Sequence, residues 1–512
     1  REHKKQARDM QAHFSPLRSL AARALARRAP LLASSQSGSS TSRTHLMCLS
    51  ARPMRHSHSA SMYSTEGSVV DQMRERGLVN DVTNEFISPF LMENQAGAYV
   101  GVDPTADSMH VGNLLSLVSL FHLALAGQKP IALIGGATAC IGDPSGRSSE
   151  RQMMDRAQVE SNAKALLSSM HRIWEFMALR VGISVSQVPL TTVNNADWYA
   201  NYDVISFMHD IGSHLRASRL LSRDSVQTRM KAVDGGLTML ELSYQLFQAY
   251  DFLHLYREHN CRLQLGGSDQ WGNIVTGIEL IHRTEGRVGG SPLVFGLTTP
   301  LLTTSTGEKI GKSANNADRV WLSSARTSDY HFYQYWMNTS DADVSRFLRL
   351  LTFMPLEEVE YLEQDHAKRP ERRAAQQALA QEVTSMVRGA EAVESAERAT
   401  RVFFGTESLQ SLSCTQLEDI LQDVPTLYLT KEKLFSLRVM DVIHMAGAAK
   451  SRTEAGRLVQ RNAFQLNGNG LPDGQRHVSD ADLMFGKHLV LRRSKKHYFL
   501  VSLVEDEPIE NP

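Results

Sequence analysis

Cysteine is scarce and nowhere paired: Cys48, Cys140, Cys261 and Cys414 stand far apart in 512 residues, without the CxxC spacing of a zinc or redox site. That excludes a disulfide framework, and the four read as free thiols of a reducing compartment. Long apolar runs are missing too. None approaches the roughly 20 residues that a membrane-crossing helix needs. Neither sign of charge is in excess: 55 Lys and Arg balance 55 Asp and Glu, so any contact with nucleic acid must come from local patches. What is present is a 42% hydrophobic, 21% charged chain able to bury a substantial core. Its length suggests about three domains.

Acids are almost absent from the first 65 residues, where Glu2 and Asp9 face Arg18, Arg23, Arg27, Arg28, Arg43, Arg52, Arg55 and several bases before Met10. Leu17 to Leu32 is a basic Ala/Leu/Arg helix pattern, and Ser34 to Ser42 is Ser-rich. This composition predicts a disordered mitochondrial transit peptide, the alternative being a basic tail without an address.

The rest of the chain is organised around Ala98 to Leu115. A short apolar run passes through a Pro/Thr/Asp turn and then shows helical spacing at Leu114, Leu117, Val118 and Phe121. Strand, turn and helix bring backbone N–H groups to a helix N-terminus, a natural anion site. His110 and Asn113 share a face of the first turn and can address one phosphate or ribose. By itself the pattern also fits an ordinary βα corner. A second strand, Ile131 to Ile134, runs into a glycine-rich loop containing Gly135, Gly142, Asp143 and Gly146, followed by Arg147 and Arg151. These features predict a parallel α/β sheet with its ligand beyond the strand ends. There Asp143 could hold an ammonium group and the two arginines could reach phosphates; tight packing explains the glycines equally well.

Further signals come later. A long helical pattern spans Arg151 to about Leu179, and Gln187 to Thr192 reads as extended. Thr238 to Leu255 reads as a buried helix, yet Tyr244, Gln248 and Asp251 lay a polar stripe along it. Buried polar groups need partners, either neighbouring protein groups or a tyrosine-sized ligand with an amine at one end and a hydroxyl at the other. Cys261 to Leu265 reads as a strand entering Gly266–Asn273, where Asp269 suits ribose hydroxyls or a helix N-cap. Gly307 to Ser313 lacks the first glycine, the preceding strand and the following helix of a P-loop. It leaves a loop whose Lys309 and Lys312 are either a solvated pair or a clamp for polyphosphate.

In order, His110-Val-Gly-Asn113, Gly135-Gly-Ala-Thr, Gly142-Asp-Pro-Ser-Gly146, Gln248-Ala-Tyr-Asp251, Gly266-Gly-Ser-Asp-Gln-Trp-Gly-Asn273 and Lys309-Ile-Gly-Lys312-Ser313 resemble the motifs of class I aminoacyl-tRNA synthetases. The resemblance is specifically to tyrosyl-tRNA synthetases of the bacterial and mitochondrial type, and it runs from about Val70 to the end. It implies that tyrosine attacks the α-phosphate of ATP and that the tyrosyl group then passes to tRNA(Tyr). Catalysis would come from placement and charge stabilisation rather than a protein nucleophile. His110, Asn113, Thr105, Lys309 and Lys312 would serve the triphosphate or ribose. Tyr99 and Asp251 would bond the phenol, and Asp143, Tyr244 and Gln248 the amine, with Gln264 beside the bound tyrosine. Asp103, Gly112, Gly267, Asp269, Gln270 and Ser313 would lie along ATP or the adenylate. Mg2+ would arrive with ATP, with no tightly bound cofactor and no dedicated metal site. Tyrosine enzymes are the standing example of a site that bonds a hydroxyl and is left with unpaired groups when phenylalanine enters, so no editing domain is implied. Asn113 replaces the motif's usual second His, and Val100 stands where many relatives carry a polar residue near the ribose.

The expected layout is a transit peptide over 1–65, a Rossmann-like parallel-sheet domain over 66–320, an α-helical anticodon-binding domain over 321–430 and a small α+β S4-like RNA-binding domain over 431–512. In the last, Ser451-Arg-Thr-Glu454 is a capping box. Arg457 and Arg461 share a helical face, and Asn467-Gly468 marks a turn. Lys450, Arg452, Arg457 and Arg461 are candidate RNA contacts, or else a solvated basic face. The whole implies a homodimeric tyrosine–tRNA ligase of the mitochondrial matrix, not associated with membranes. A non-catalytic binder of structured RNA and the sister tryptophan enzyme are the alternatives; intact motif residues disfavour the first and the Tyr99–Asp251 pair the second.

Overall fold

The computed structural model describes residues 67–145, 154–231, 236–286, 293–310, 319–403, 407–422, 424–494 and 497–504. The expected transit segment, Arg147, Arg151, Lys312 and Ser313 lie outside them.

Strand β1 (Asp81–Val82) precedes β2 (Gly97–Val102), helix α1 (Val111–Leu125) and β3 (Lys129–Ile134). The long helix α2 (Arg156–Arg180) leads to β4 (Thr191–Asn194). Next come α3 (Met239–His259), β5 (Cys261–Gly267), α4 (Trp271–Glu285) and β6 (Phe295–Thr299). The six strands order as β1-β6-β5-β2-β3-β4, parallel except for β1. From β2 the chain winds outward through β3 and β4, then returns to lay β5 on the other side of β2. That reversal opens a crevice at the carboxyl ends of β2 and β5, where ligands of such sheets bind.

The two-residue period of the strands builds both layers. Ala98, Val100, Ala132 and Ile134 pack with α1 in one core, whereas Tyr99, Ile131 and Leu133 face Phe252, Leu253 and Ile278 of α3 and α4. The strand expected over Gln187 to Thr192 forms later, at β4. Ser184 and Gln187 close a capping box on a short 3-10 turn, which uses the residues before it. Helix α3 runs one turn past the expected Leu255 and ends at Asn260, whose φ of 48° stops it.

Residues 321–327 do not begin a helix as the sequence suggests. Residues 320–322 instead brace the His110 turn: Val111 N donates to Val320 O at 3.2 Å and Leu322 N to Met109 O at 2.8 Å. The helices follow as α5 (Asp329–Met337), α6 (Asp341–Leu351), α7 (Leu356–Lys368), α8 (Ala374–Arg388) and α9 (Ala390–Phe403). Phe332, Leu348, Leu379 and Val383 share the core of α1 and α2 rather than forming their own.

The C-terminal sheet orders as β7-β11-β10-β8-β9, from β7 (Thr426–Leu429), β8 (Phe464–Leu466), β9 (Asn469–Gly470), β10 (His488–Arg493) and β11 (His497–Leu503). It thus draws in residues before 431. Asn467 and Gly468, with φ of 49° and 83°, make the tight turn between β8 and β9. Helices α10 (Val439–Met445) and α11 (Arg452–Gln460) cover this sheet.

Candidate active site

A cavity of ≈ 540 Å³ opens at the β2/β5 crevice. Every described residue expected to serve tyrosine or ATP lines it: Tyr99, Asp103, Thr105, His110, Gly112, Asn113, Asp143, Tyr244, Gln248, Asp251, Gln264, Gly267, Asp269, Gln270 and Lys309. Loops more than 200 residues apart in sequence therefore share one space.

Its inner end is built on β2 and α3. Tyr99 pairs in register with Gln264 of β5, and its ring sits 5.5 Å from that of Phe252. The Tyr99 hydroxyl and the Gln264 Oε1 are buried and have no hydrogen-bond partner. Buried polar atoms without a partner call for an explanation, and these two line the cavity. Burial, and then the Asp251 charge, push the Tyr99 phenol well above its ordinary range.

Asp251 is 2% exposed and accepts three hydrogen bonds, from Asn195 Nδ2 at 3.0 Å, Trp198 Nε1 at 3.0 Å and the Tyr199 hydroxyl at 2.9 Å. Asn195 cannot turn over, because its Oδ1 accepts from Ala137 N at 2.7 Å. Desolvation outweighs the three donors and raises the Asp251 carboxyl from 3.8 to about 7. Asn195, Trp198 and Tyr199 were not singled out from sequence; the Asn194-Asn195 doublet at a strand end was their only signal.

The middle of the cavity is a polar mesh. Asp143 accepts from Gln270 Nε2 at 2.7 Å and from Ser145 N at 2.9 Å. Asn273, also missed, donates to Gln248 Oε1 at 2.8 Å, and its own buried Oδ1 has no partner. The Tyr244 hydroxyl donates to Asp103 Oδ2 at 3.0 Å and Thr138 Oγ1 to Asp103 Oδ1 at 2.8 Å. All three groups of the polar stripe on α3 thus have protein partners while facing the cavity. Asp103, expected along the nucleotide, ties the Gly135 loop to α3 with both oxygens. Only glycine fits at 135: a Cβ there would lie 2.0 Å from Asp103 Oδ1.

The outer end is the N-terminus of α1. His110 is its N-cap: Nδ1 accepts from Gly112 N at 3.0 Å, while His110 N donates to Asn113 Oδ1 at 3.1 Å. The pair closes a capping box instead of standing free in the first turn. An accepting Nδ1 leaves the ring proton of the neutral imidazole on Nε2 as a donor. Arg388 holds the brace beside it, donating to Trp321 O at 3.1 Å and to Asp329 Oδ1 at 2.8 Å.

Lys450, Arg457 and Arg461 are exposed on and beside α11. Arg452 is exposed too, but pairs with Asp441 at 3.0 Å. Among the described residues, one group gathers three metal-capable side chains: Cys414, Glu418 and His488. There Glu418 already accepts from Lys487 at 2.7 Å and meets His488 Nε2 at 2.9 Å, a charge tie between protein groups. No described helix is long and apolar enough to cross a membrane.

Residues 92–405 match the family model for class I tRNA synthetases of the tryptophan and tyrosine type. Residues 416–501 match the C-terminal domain of SYY-like tyrosine–tRNA ligases. The chain is 40% identical over 439 residues to the tyrosine–tRNA ligase of Roseiflexus castenholzii, covering 85% of this chain and 100% of that one. The Bacillus caldotenax ligase is 39% identical over 431 residues, covering 84% and 98%. Among solved structures, a C-terminally truncated mitochondrial tyrosyl-tRNA synthetase of Aspergillus nidulans is similar at TM-score 0.60 and 31% identity, covering 66% of this chain and 94% of that one. Its counterpart from Coccidioides posadasii gives 0.57 and 33%, covering 65% and 91%.

Proposed function

The chain belongs to the tyrosine–tRNA ligases, class I synthetases that charge tRNA with tyrosine at the expense of ATP, and we propose that the crevice between β2 and β5 holds tyrosine inward and ATP outward. One observation carries this orientation: the partnerless Tyr99 hydroxyl and Asp251 are deeply buried in the cavity, whereas the helix N-terminus at His110 lines it half-buried. The Tyr99 O–H donates to the substrate's phenolic oxygen, and Asp251 accepts the phenol's proton. Asp143, Gln248 and Tyr244 face the amine, and Gln264 and Asn273 have acceptors to offer beside it. The tyrosine carboxylate then attacks the α-phosphorus, a P–O bond breaks, and pyrophosphate leaves with the electron pair. Thr105, His110 Nε2, Asn113, Lys309 and Lys312 meet the phosphates or ribose, with Mg2+ arriving on ATP. Gly112, Gly267, Asp269, Gln270 and Ser313 lie along the nucleotide, with Asp103 fixing the wall behind it. In the second step the tRNA 3′-terminal ribose hydroxyl attacks the carbonyl and AMP leaves.

Three further features belong to the proposal. Exposed Val204, Ile205, Met208, Met239 and Leu240 support a homodimer through this face of the catalytic region. The Arg-rich, acid-poor first 65 residues and the likeness to two fungal mitochondrial enzymes support work in the mitochondrial matrix. Lys450, Arg452, Arg457 and Arg461 on the C-terminal module support contact with the tRNA backbone.

Tyrosine-dependent exchange of pyrophosphate into ATP tests the reading. Exchange with tyrosine is the expected result. None at all would leave a non-catalytic RNA binder, and exchange driven by tryptophan would install the sister enzyme. In the same assay Lys309→Ala and Lys312→Ala are each expected to slow exchange by about 10–100-fold, with the tyrosine KM nearly unchanged. Equal changes in tyrosine KM would remove them from the phosphate end.

A pH profile follows from the Asp251 carboxyl at about 7. Its ionised form is the stronger acceptor for the phenol O–H, so the tyrosine KM is expected to fall as pH rises through 7. Stability should move the other way. The folded chain keeps a proton that the unfolded chain has lost, so folding weakens between about pH 4 and 7. A flat KM profile would contradict the assignment.

A further inference from the structure

The brace beside α1 carries a cation that none of these roles uses. We infer that Arg319 is a phosphate-binding residue of this site, its guanidinium meeting the β- and γ-phosphates that depart as pyrophosphate. The inference rests on the cavity being a tyrosine and ATP site.

Arg319 is half-buried and lines the cavity together with Lys309. Its guanidinium lies over the Trp321 indole, 5.1 Å from the ring centroid. A guanidinium stacked by its face keeps its in-plane N–H donors available at the edge. The Arg319 Nε is buried and makes no hydrogen bond. Arg326 provides the contrast: it lies 4.8 Å from the same indole, but pairs with Asp107. Of two guanidinium groups on one ring, one has its carboxylate. The other has none among the described residues and stands at a cavity wall.

Its position selects the ligand. Val320 O accepts from Val111 N at 3.2 Å, and Trp321 bridges His110, so Arg319 sits beside the N-terminus of a 15-residue helix. Helix terminus and guanidinium favour an anion in the same place. The phenol end is formed instead by Tyr99 and Asp251, with partners from other segments. As the bond from the α-phosphorus to the bridging oxygen breaks, its electron pair stays on pyrophosphate. A fixed cation there stabilises the charge that grows.

The test uses the full chain and its Arg319→Gln and Arg319→Lys variants in pyrophosphate exchange. Arg319→Gln should raise the KM for ATP and for pyrophosphate by roughly tenfold or more, leaving the tyrosine KM and inhibition by adenosine unchanged. Arg319→Lys should recover part of the loss. If the wild type exchanges and Arg319→Gln keeps its ATP and pyrophosphate KM values, the inference fails while the site reading stands. If the tyrosine KM rises in parallel, Arg319 merely props the His110 turn, and the inference again fails. Calorimetric titration with pyrophosphate makes the comparison without turnover, and equal affinities of wild type and Arg319→Gln would overturn it even without exchange.

Discussion

Asp251→Asn is expected to raise the tyrosine KM by roughly 10- to 100-fold, the cost of losing a hydrogen bond to a charged group. Although close in shape, the amide is a poor substitute. Asn195 is locked with its NH2 toward residue 251, because its Oδ1 is held by Ala137 N. An amide at 251 must therefore oppose NH2 to NH2 or turn its oxygen away from Trp198 and Tyr199. Stability should change much less, because two terms oppose. The carboxyl's rise from 3.8 to about 7 makes its ionisation in the fold cost about 4 kcal/mol, which the variant relieves. Against this stand donors losing their best acceptor, at about 1–3 kcal/mol each. A net change within about 2 kcal/mol is expected by denaturant melting. A melt that collapses in step with the KM would make Asp251 a structural carboxylate rather than a tyrosine ligand.

His110→Asn separates two functions of one side chain. Asparagine is among the best N-caps, so its amide oxygen should replace Nδ1 as acceptor of the Gly112 N–H and keep α1 intact. It has no counterpart to Nε2–H, the donor proposed for the phosphates. Adenylate formation should slow by about 100–1000-fold, as when one oriented donor to a developing anion is removed, with little change in melting or tyrosine KM. His110→Ala should lose the same rate and, in addition, about 1 kcal/mol of stability from the missing cap. Were His110→Asn to keep wild-type exchange, the cap alone would be the purpose of His110.

The parts of the fold written locally were the legible ones. The unbroken apolar run of Ala98, Tyr99 and Val100 announces a strand buried on both faces, and the step to helical spacing at Leu114 announces the βα unit. The stripe of Tyr244, Gln248 and Asp251 was visible because polar groups on a buried helix need an explanation. Less legible was what answers them. Asn195, Trp198 and Tyr199 reach Asp251 from more than 50 positions away, and nothing along the chain marks that approach. His110 and Asn113 were legible as a pair but not as a cap, since a His-x-x-Asn box lacks the usual Ser/Thr and Glu/Gln. The helical reading from Trp321 fails at its first residues because the bonds of 320–322 run to the backbone of Met109 and Val111, a pairing invisible to periodicity.

The central claim is an orientation, phenol at Tyr99 and Asp251, phosphorus at the start of α1. Crystallography of the chain with a non-hydrolysable tyrosyl-adenylate analogue measures it directly. The account predicts a phenolic oxygen within about 3 Å of both the Tyr99 hydroxyl and the Asp251 carboxylate, with the phosphoryl oxygens facing His110. An analogue bound with its adenine between Tyr99 and Asp251, or with its phenol outside the crevice of β2 and β5, would contradict it.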